Sequence, residues 1–329
     1  MSKFSREIKK IAIYTSGGDA PGMNAAIRSS VRIAINSHLD VVGIIGGYSG
    51  LLNGEIDQLS QRGMANIIQR GGTILKTGRC PEFHKAENRK KAADILAREK
   101  IDGLICIGGD GSFTGAHLLW EEFQIPIVGI PGTIDNDIWG TDFTIGFDTA
   151  VNTALEAIDK IRDTAASHDR LFIVEVMGRN SGFIASSVGL AGGAEEIFVP
   201  ENPASIDKAI EKIKAGAARG KTSSILVAAE GQKPGRAYDL AEQIRKKIGY
   251  DAKVCILGHL QRGGSPSAYD RILASRLGAA AVTTLLEKEC DVMVGVQASK
   301  VVRIPLADAI NKEKVLDNEY LQLASILSL

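Results

Sequence analysis

Three segments of this chain pair glycine with carboxylate directly after a short apolar run. They are Gly17-Gly18-Asp19 after Ile11-Ala12-Ile13-Tyr14, Gly108-Gly109-Asp110-Gly111-Ser112 after Leu104-Ile105-Cys106-Ile107, and Pro131-Gly132-Thr133-Ile134-Asp135-Asn136-Asp137 after Ile127-Val128-Gly129-Ile130. Glycine lets backbone approach a phosphate closely, and bare N–H groups at a helix start favour its negative charge. Aspartate does the opposite and repels phosphate unless a cation lies between. The combination points to phosphoryl transfer from a magnesium nucleotide, with one carboxylate left over as a base.

Such loops need strands that end side by side. In an open parallel sheet, ligands bind outside the carboxyl ends of the strands, where the chain turns toward a helix. Strand-like and helix-like runs alternate from end to end, the pattern of βαβ units. A first helix is predicted from near Gly22 to Asn36, a strand over Val41–Ile45 and a helix over Glu87–Lys100. From Thr149 to Thr164, Val151, Leu155, Ile158 and Ile161 recur at helical spacing. Further strands are predicted at Leu171–Val176, Ser224–Ala229 and Lys253–Leu257, each feeding a polar loop.

At 329 residues two domains are expected. Lys plus Arg and Asp plus Glu both total 39, so no net field recruits nucleic acid or an anionic membrane. No apolar stretch is long enough to span a bilayer, and the charged start, Met1–Lys10, lacks the apolar region of a signal peptide. Cys80, Cys106, Cys255 and Cys290 form no CxxC pair, and Cys106 and Cys255 read as buried apolar fillers. Together these predict a reduced, cytoplasmic protein.

Two further glycine patterns mislead. Gly109-Asp110-Gly111 with Gly115 falls one residue from the dinucleotide fingerprint, but its aspartate would face a pyrophosphate. Gly216 to Thr222 is one residue short of a P-loop and precedes a strand, so Gly220 is read as closing a helix begun near Ser205. Ser167-His168-Asp169 is no triad, since adjacent residues cannot hand on a proton in the required geometry.

Five ordered motifs together resemble the bacterial ATP-dependent 6-phosphofructokinases. These are Thr15–Asn24, Ile107–Ser112, Pro131–Asp137, Val174–Arg179 and Leu257–Gly264, and the likeness runs from about Lys10 to beyond Arg276. The resemblance implies two Rossmann-like three-layer α/β/α lobes with mostly parallel sheets and the active site in the cleft between them. Residues 1–145 and 260–310 would form the ATP lobe, and 146–259 with 311–329 the fructose 6-phosphate lobe. A cytoplasmic homotetramer with sites shared between subunits is implied in the same way.

In that resemblance Asp135 is the general base for the C1 hydroxyl, a role typically worth roughly 10²–10⁴-fold. Thr133 and Ile134 contact the reacting groups. Read alone, Asp135 and Asp137 also suit a helix-capping turn. Asp110 is assigned to Mg²⁺, which needs only one or two carboxylates plus phosphate oxygens. Gly18, Gly108, Gly109, Gly111 and Ser112 would face ATP, joined by Arg79 and Cys80. Arg79 and Arg179 would offset charge on the transferred group.

Fructose 6-phosphate would be held by Arg170, Met177, Gly178, Arg179, Glu230, Lys253, His259 and Arg262. The arginine fork suits phosphate because it donates two hydrogen bonds at once. Lys253 stands where the family usually has an arginine that reaches across from a neighbouring subunit, and it lacks that fork. An effector site is implied by Arg28, Arg32, Arg162, Glu195, Arg219 and Lys221. Gln61, Thr222 and Ser223 replace basic residues there, which weakens phosphate binding.

Pyrophosphate-dependent relatives typically carry aspartate at the position of Gly111 and lysine at that of Gly132. Glycine at both leaves room for a nucleotide, so ATP is the expected donor. A pyrophosphate- or mixed-donor kinase and a catalytically silent regulatory subunit are the alternatives.

Overall fold

The structure is a computed structural model and describes residues 2–166, 171–202 and 204–328. Arg170 and the Ser167-His168-Asp169 stretch lie outside the described residues. In chain order the strands are β1 (Ser2–Lys3), β2 (Lys10–Thr15), β3 (Asp40–Ile44), β4 (Ile56–Gln58), β5 (Gly103–Gly108), β6 (Ile127–Pro131), β7 (Leu171–Val176), β8 (Glu196–Phe198), β9 (Ser224–Ala229), β10 (Lys253–Ile256), β11 (Glu289–Cys290), β12 (Val292–Gln297) and β13 (Lys300–Pro305).

Two compact units divide the chain. The first comprises Met1–Thr133, Ile138–Asp148 and Arg262–Lys314, and the second Ile134–Asp137, Thr149–Gln261 and Val315–Leu329. Ile134–Asp137 thus interrupts the continuous 1–145 segment read from sequence. A local reason is visible: the Ser181 hydroxyl donates to the Asp135 carbonyl at 3.0 Å.

The first unit is built on a seven-stranded sheet of order β13-β12-β6-β5-β2-β3-β4. Its five central strands run parallel, and β4 and β13 close its edges antiparallel. Side chains alternate between faces along each strand. Ala12, Tyr14, Val42, Ile44, Leu104 and Cys106 enter one core with Leu51, Ile95, Leu96, Phe113, Leu119 and Leu306 from four helices. Burying one such Leu or Ile is worth roughly 1.5–3 kcal/mol. Two further helices, Met23–Asn36 and Ala268–Leu286, touch the strands and pack closely on each other. A Cβ on Gly278 would lie 2.7 Å from the Ala26 carbonyl, and Ser29 donates to the Ser275 carbonyl at 2.6 Å.

The second unit holds a four-stranded parallel sheet of order β10-β7-β9-β8. Leu171, Ile173, Leu226 and Ala228 pack on one face against Ala209, Ile210 and Ile213 from helix Ile206–Ala218 and Ala237, Leu240 and Ile244 from helix Arg236–Ile248. Helix Phe183–Ala191 touches β8 and β9. Ser205 caps the first of these helices through its hydroxyl, and Gly220 follows its end at φ +84°. That left-handed conformation suits glycine and a chain leaving a helix, as the sequence predicts. Cys106 is buried, but Cys255 on the edge strand β10 is only half-buried, correcting its reading as core. No helix among the described residues is long and apolar enough to cross a membrane.

Candidate active site

The three glycine–aspartate loops leave the ends of β2, β5 and β6, adjacent strands of the first unit, and their glycine segments are stitched together by backbone. Ser16 N–H donates to the Ile107 carbonyl at 3.0 Å, and Gly132 N–H to the Gly108 carbonyl at 2.9 Å. The approach is so close that a Cβ on Gly108 would sit 2.6 Å from the Ser16 carbonyl. A strap running toward Arg79 is bonded to the first loop: Gly17 N–H donates to the Gly78 carbonyl at 3.2 Å and Thr77 donates to the Gly17 carbonyl at 3.0 Å. Arg79 itself is exposed, and the half-buried Cys80 directs its thiol toward Glu82.

The second loop opens helix Asp110–Phe123. Asp110 and Gly111 are exposed at its first turn, and a Cβ on Gly111 would meet nothing within 4 Å. Ser112 is buried, and its carbonyl accepts from the Tyr48 hydroxyl at 2.6 Å, which in turn accepts from Tyr14 at 2.9 Å. Burial holds both phenols, and the neighbouring Cys106 thiol, well toward their protonated forms, Cys106 being pushed up to about 12. These groups therefore act as fixed hydrogen-bonding struts. A helix start bearing one exposed carboxylate beside open space fits a hydrated Mg²⁺, because that ion keeps most of its waters.

The third loop is closed from behind. Ile145 N–H donates to the Pro131 carbonyl at 2.9 Å, and the Thr144 hydroxyl donates to the Thr133 carbonyl at 2.6 Å. A Cβ on Gly109 would lie 3.8 Å from that of Thr133. Gly132 is confined, with Ile107 and Met23 side-chain atoms 3.0 and 3.2 Å from where its Cβ would stand. Arg262 also lies in this unit: its guanidinium donates to the Asp19 carbonyl at 3.1 Å and fills the space a Cβ on Gly18 would take.

The second unit gathers the remaining sugar-side candidates at the ends of β7 and β9. Asp135 is buried there, only 7% exposed, within the Ile134–Asp137 segment. Gly178 at φ +137° turns the chain after β7, and Arg179 follows exposed at φ +51° with its N–H on the Glu230 carboxylate at 3.3 Å. Glu230 is buried at the end of β9. Met177 N–H donates to Gln261 at 2.7 Å. His259 is exposed on the short Gly258–Arg262 turn of helix. Lys253 does not join this cluster: it begins β10, exposed, and pairs with Asp251 at 2.6 Å.

Two supporting residues received no role from sequence. Gln261 is fully buried and links Met177 to the Ala150 carbonyl. Glu175, buried inside β7, accepts from Gly235 and Ala237 N–H, each at 2.8 Å, and so caps helix Arg236–Ile248. The signal available for Glu175 was an acid in the middle of an apolar strand.

Of the effector candidates, Arg162, Glu195 and Lys221 are engaged with their own unit. Arg162 grips the Gly192 and Gly193 carbonyls, while buried Glu195 pairs with Lys221 and accepts from Ile225 N–H at 2.5 Å. Arg219 is exposed just beyond helix Ile206–Ala218, and Arg28 and Arg32 are half-buried on helix Met23–Asn36.

The phosphofructokinase family model matches residues 10–285. The chain belongs to the phosphofructokinase family. It is 56% identical over 322 residues to ATP-dependent 6-phosphofructokinase 1 of Thermus thermophilus, spanning 98% of this chain and 100% of that one. Phosphofructokinase from Saccharomyces cerevisiae shares the fold at TM-score 0.86 and 38% identity, over 92% of this chain and 45% of the yeast chain. A pyrophosphate-dependent phosphofructokinase from Marinobacter aquaeolei matches at TM-score 0.84 and 25% identity, over 96% of this chain and 91% of that one.

Proposed function

We propose that this protein is an ATP-dependent 6-phosphofructokinase, moving the γ-phosphoryl group of ATP to the C1 hydroxyl of fructose 6-phosphate. The products are fructose 1,6-bisphosphate and ADP. The observation that carries this reading is the trio of loops leaving adjacent strand ends of the first unit's sheet, their glycine segments bound edge to edge, with an exposed Asp110 beside the open space at Gly111. Near-full-length identity to an enzyme named for that reaction supports it.

Gly18, Gly108, Gly109, Gly111 and Ser112 present backbone to the nucleotide, and Arg79 and Cys80 line it from the strap. Asp110 holds Mg²⁺, which neutralises charge on the β- and γ-phosphates. Asp135 takes the proton from the C1 hydroxyl, with Thr133 and Ile134 orienting the reacting groups. Its burial supports this role, since bulk water is kept away from the reacting groups. Arg179 and Arg79 balance negative charge as the group moves. The sugar is held by Met177, Gly178, Arg179, Glu230, His259 and Arg262, with Arg170 and Lys253 acting across a subunit interface of a cytoplasmic homotetramer. Arg28, Arg32, Arg162, Glu195, Arg219 and Lys221 form a weak effector site, because Gln61, Thr222 and Ser223 supply no positive charge to it.

Initial rates with ATP against pyrophosphate test the donor. Turnover with ATP is expected, and faster turnover with pyrophosphate would overturn the assignment. Asp135→Asn should lower kcat by roughly 10²-fold or more while leaving the KM for ATP near the wild-type value. Near-normal turnover would end the assignment of Asp135 as base.

A further inference from the structure

Helix Asp110–Phe123 carries a second group of potential ligands on its flank, two turns beyond Asp110. His117 and Glu121 are four residues apart and so share one face of the helix. Opposite them stands Asp291, between β11 and β12. Ligand atoms of all three lie within 4.8 Å of one another, and His117 Nδ1 is 2.8 Å from Asp291 Oδ1.

We propose that His117, Glu121 and Asp291 form a binding site for a borderline divalent transition metal, Zn²⁺ foremost, distinct from the Mg²⁺ that accompanies the nucleotide. One imidazole and two carboxylates are a donor set suited to Zn²⁺, whereas Mg²⁺ prefers oxygen ligands and retained water. Three protein ligands would leave the fourth tetrahedral position to solvent, on the side of exposed Glu121.

The site is held rigidly. Asp291 N–H donates to the Ile127 carbonyl at 2.8 Å and its own carbonyl accepts from Leu306 N–H at 2.9 Å, so its backbone is anchored to β6 and to the segment after β13. Its side chain is 8% exposed. A divalent cation there would compensate the carboxylate charge that the fold buries at Asp291. Adjacent Cys290 is no competitor: its thiol points to the Ser2 carbonyl. A bound metal would tie helix Asp110–Phe123 to the start of β12.

Equilibrium dialysis of the chelator-treated full chain against Zn²⁺, in excess Mg²⁺, tests the proposal. One equivalent of Zn²⁺ should bind the wild type and raise its thermal midpoint. His117→Gln and Glu121→Gln should each weaken binding by roughly tenfold or more, since even an outer-shell change costs roughly 10–100-fold. Glu121→Gln is the decisive variant because an exposed carboxylate can be neutralised without disturbing the fold. Its kinase rate in Mg²⁺ alone should match wild type. No stoichiometric Zn²⁺, equal binding by wild type and Glu121→Gln, or loss of binding on Cys80→Ser instead would each overturn the site.

Discussion

Gly111 and Gly132 illustrate how two identical residues carry different constraints. Space beside Gly111 is open, so a side chain there meets the ligand and not the protein. Gly132 is walled in by Ile107 and Met23, so a side chain there must first displace the core. Gly111→Asp is therefore expected to depress ATP-dependent turnover by roughly 10²-fold or more, through charge repulsion at the phosphates, while the thermal midpoint stays near wild type. A parallel fall in midpoint and activity would refute the account of donor choice. Asp135 also belongs to this scale: its residue type and its neighbours Thr133 and Asp137 were legible in sequence, but its burial was not.

At the level of elements, the loops are fixed by struts that sequence patterns do not advertise. Tyr48 looks like any aromatic on a short helix, yet its hydroxyl joins Tyr14 to the Ser112 carbonyl at the base of the second glycine–aspartate loop. Tyr48→Phe strands buried polar partners and should destabilise the first unit by about 1–3 kcal/mol. Chemical denaturation would measure this, and an unchanged midpoint would show the strut to be dispensable. Glu175 plays the comparable part in the second unit by capping helix Arg236–Ile248. The strands and helices that were readable follow local period-2 and period-3.6 patterns, and their observed ends lie within two residues of the expected ones. Helix Phe147–Ala166, for example, extends the predicted Thr149–Thr164 at both ends.

The whole molecule raises the question of assembly. Lys253 starts an edge strand, at the opposite end from the loops that follow β7 and β9, and is exposed. A side chain so placed serves a sugar phosphate only by reaching another subunit, as the proposed tetramer requires. Light scattering should give four times the chain mass. Lys253→Arg, restoring the bidentate fork, should lower the KM for fructose 6-phosphate by several-fold, roughly 1 kcal/mol, without changing kcat. A monomeric mass with full activity would rule out the shared-site arrangement.

Sequence by itself determined the chemistry on offer and the strands that feed the polar loops, because glycine beside aspartate at a strand end and the spacing of apolar residues are short-range signals. Tertiary structure alone decided that Ile134–Asp137 groups with the second unit, that Cys255 is an edge residue, and that Gln261, Glu175 and Tyr48 hold the loops. It also brought Asp291 to His117 across 174 residues of chain. Such contacts arise from which strands lie side by side, and no local pattern of residues encodes that order.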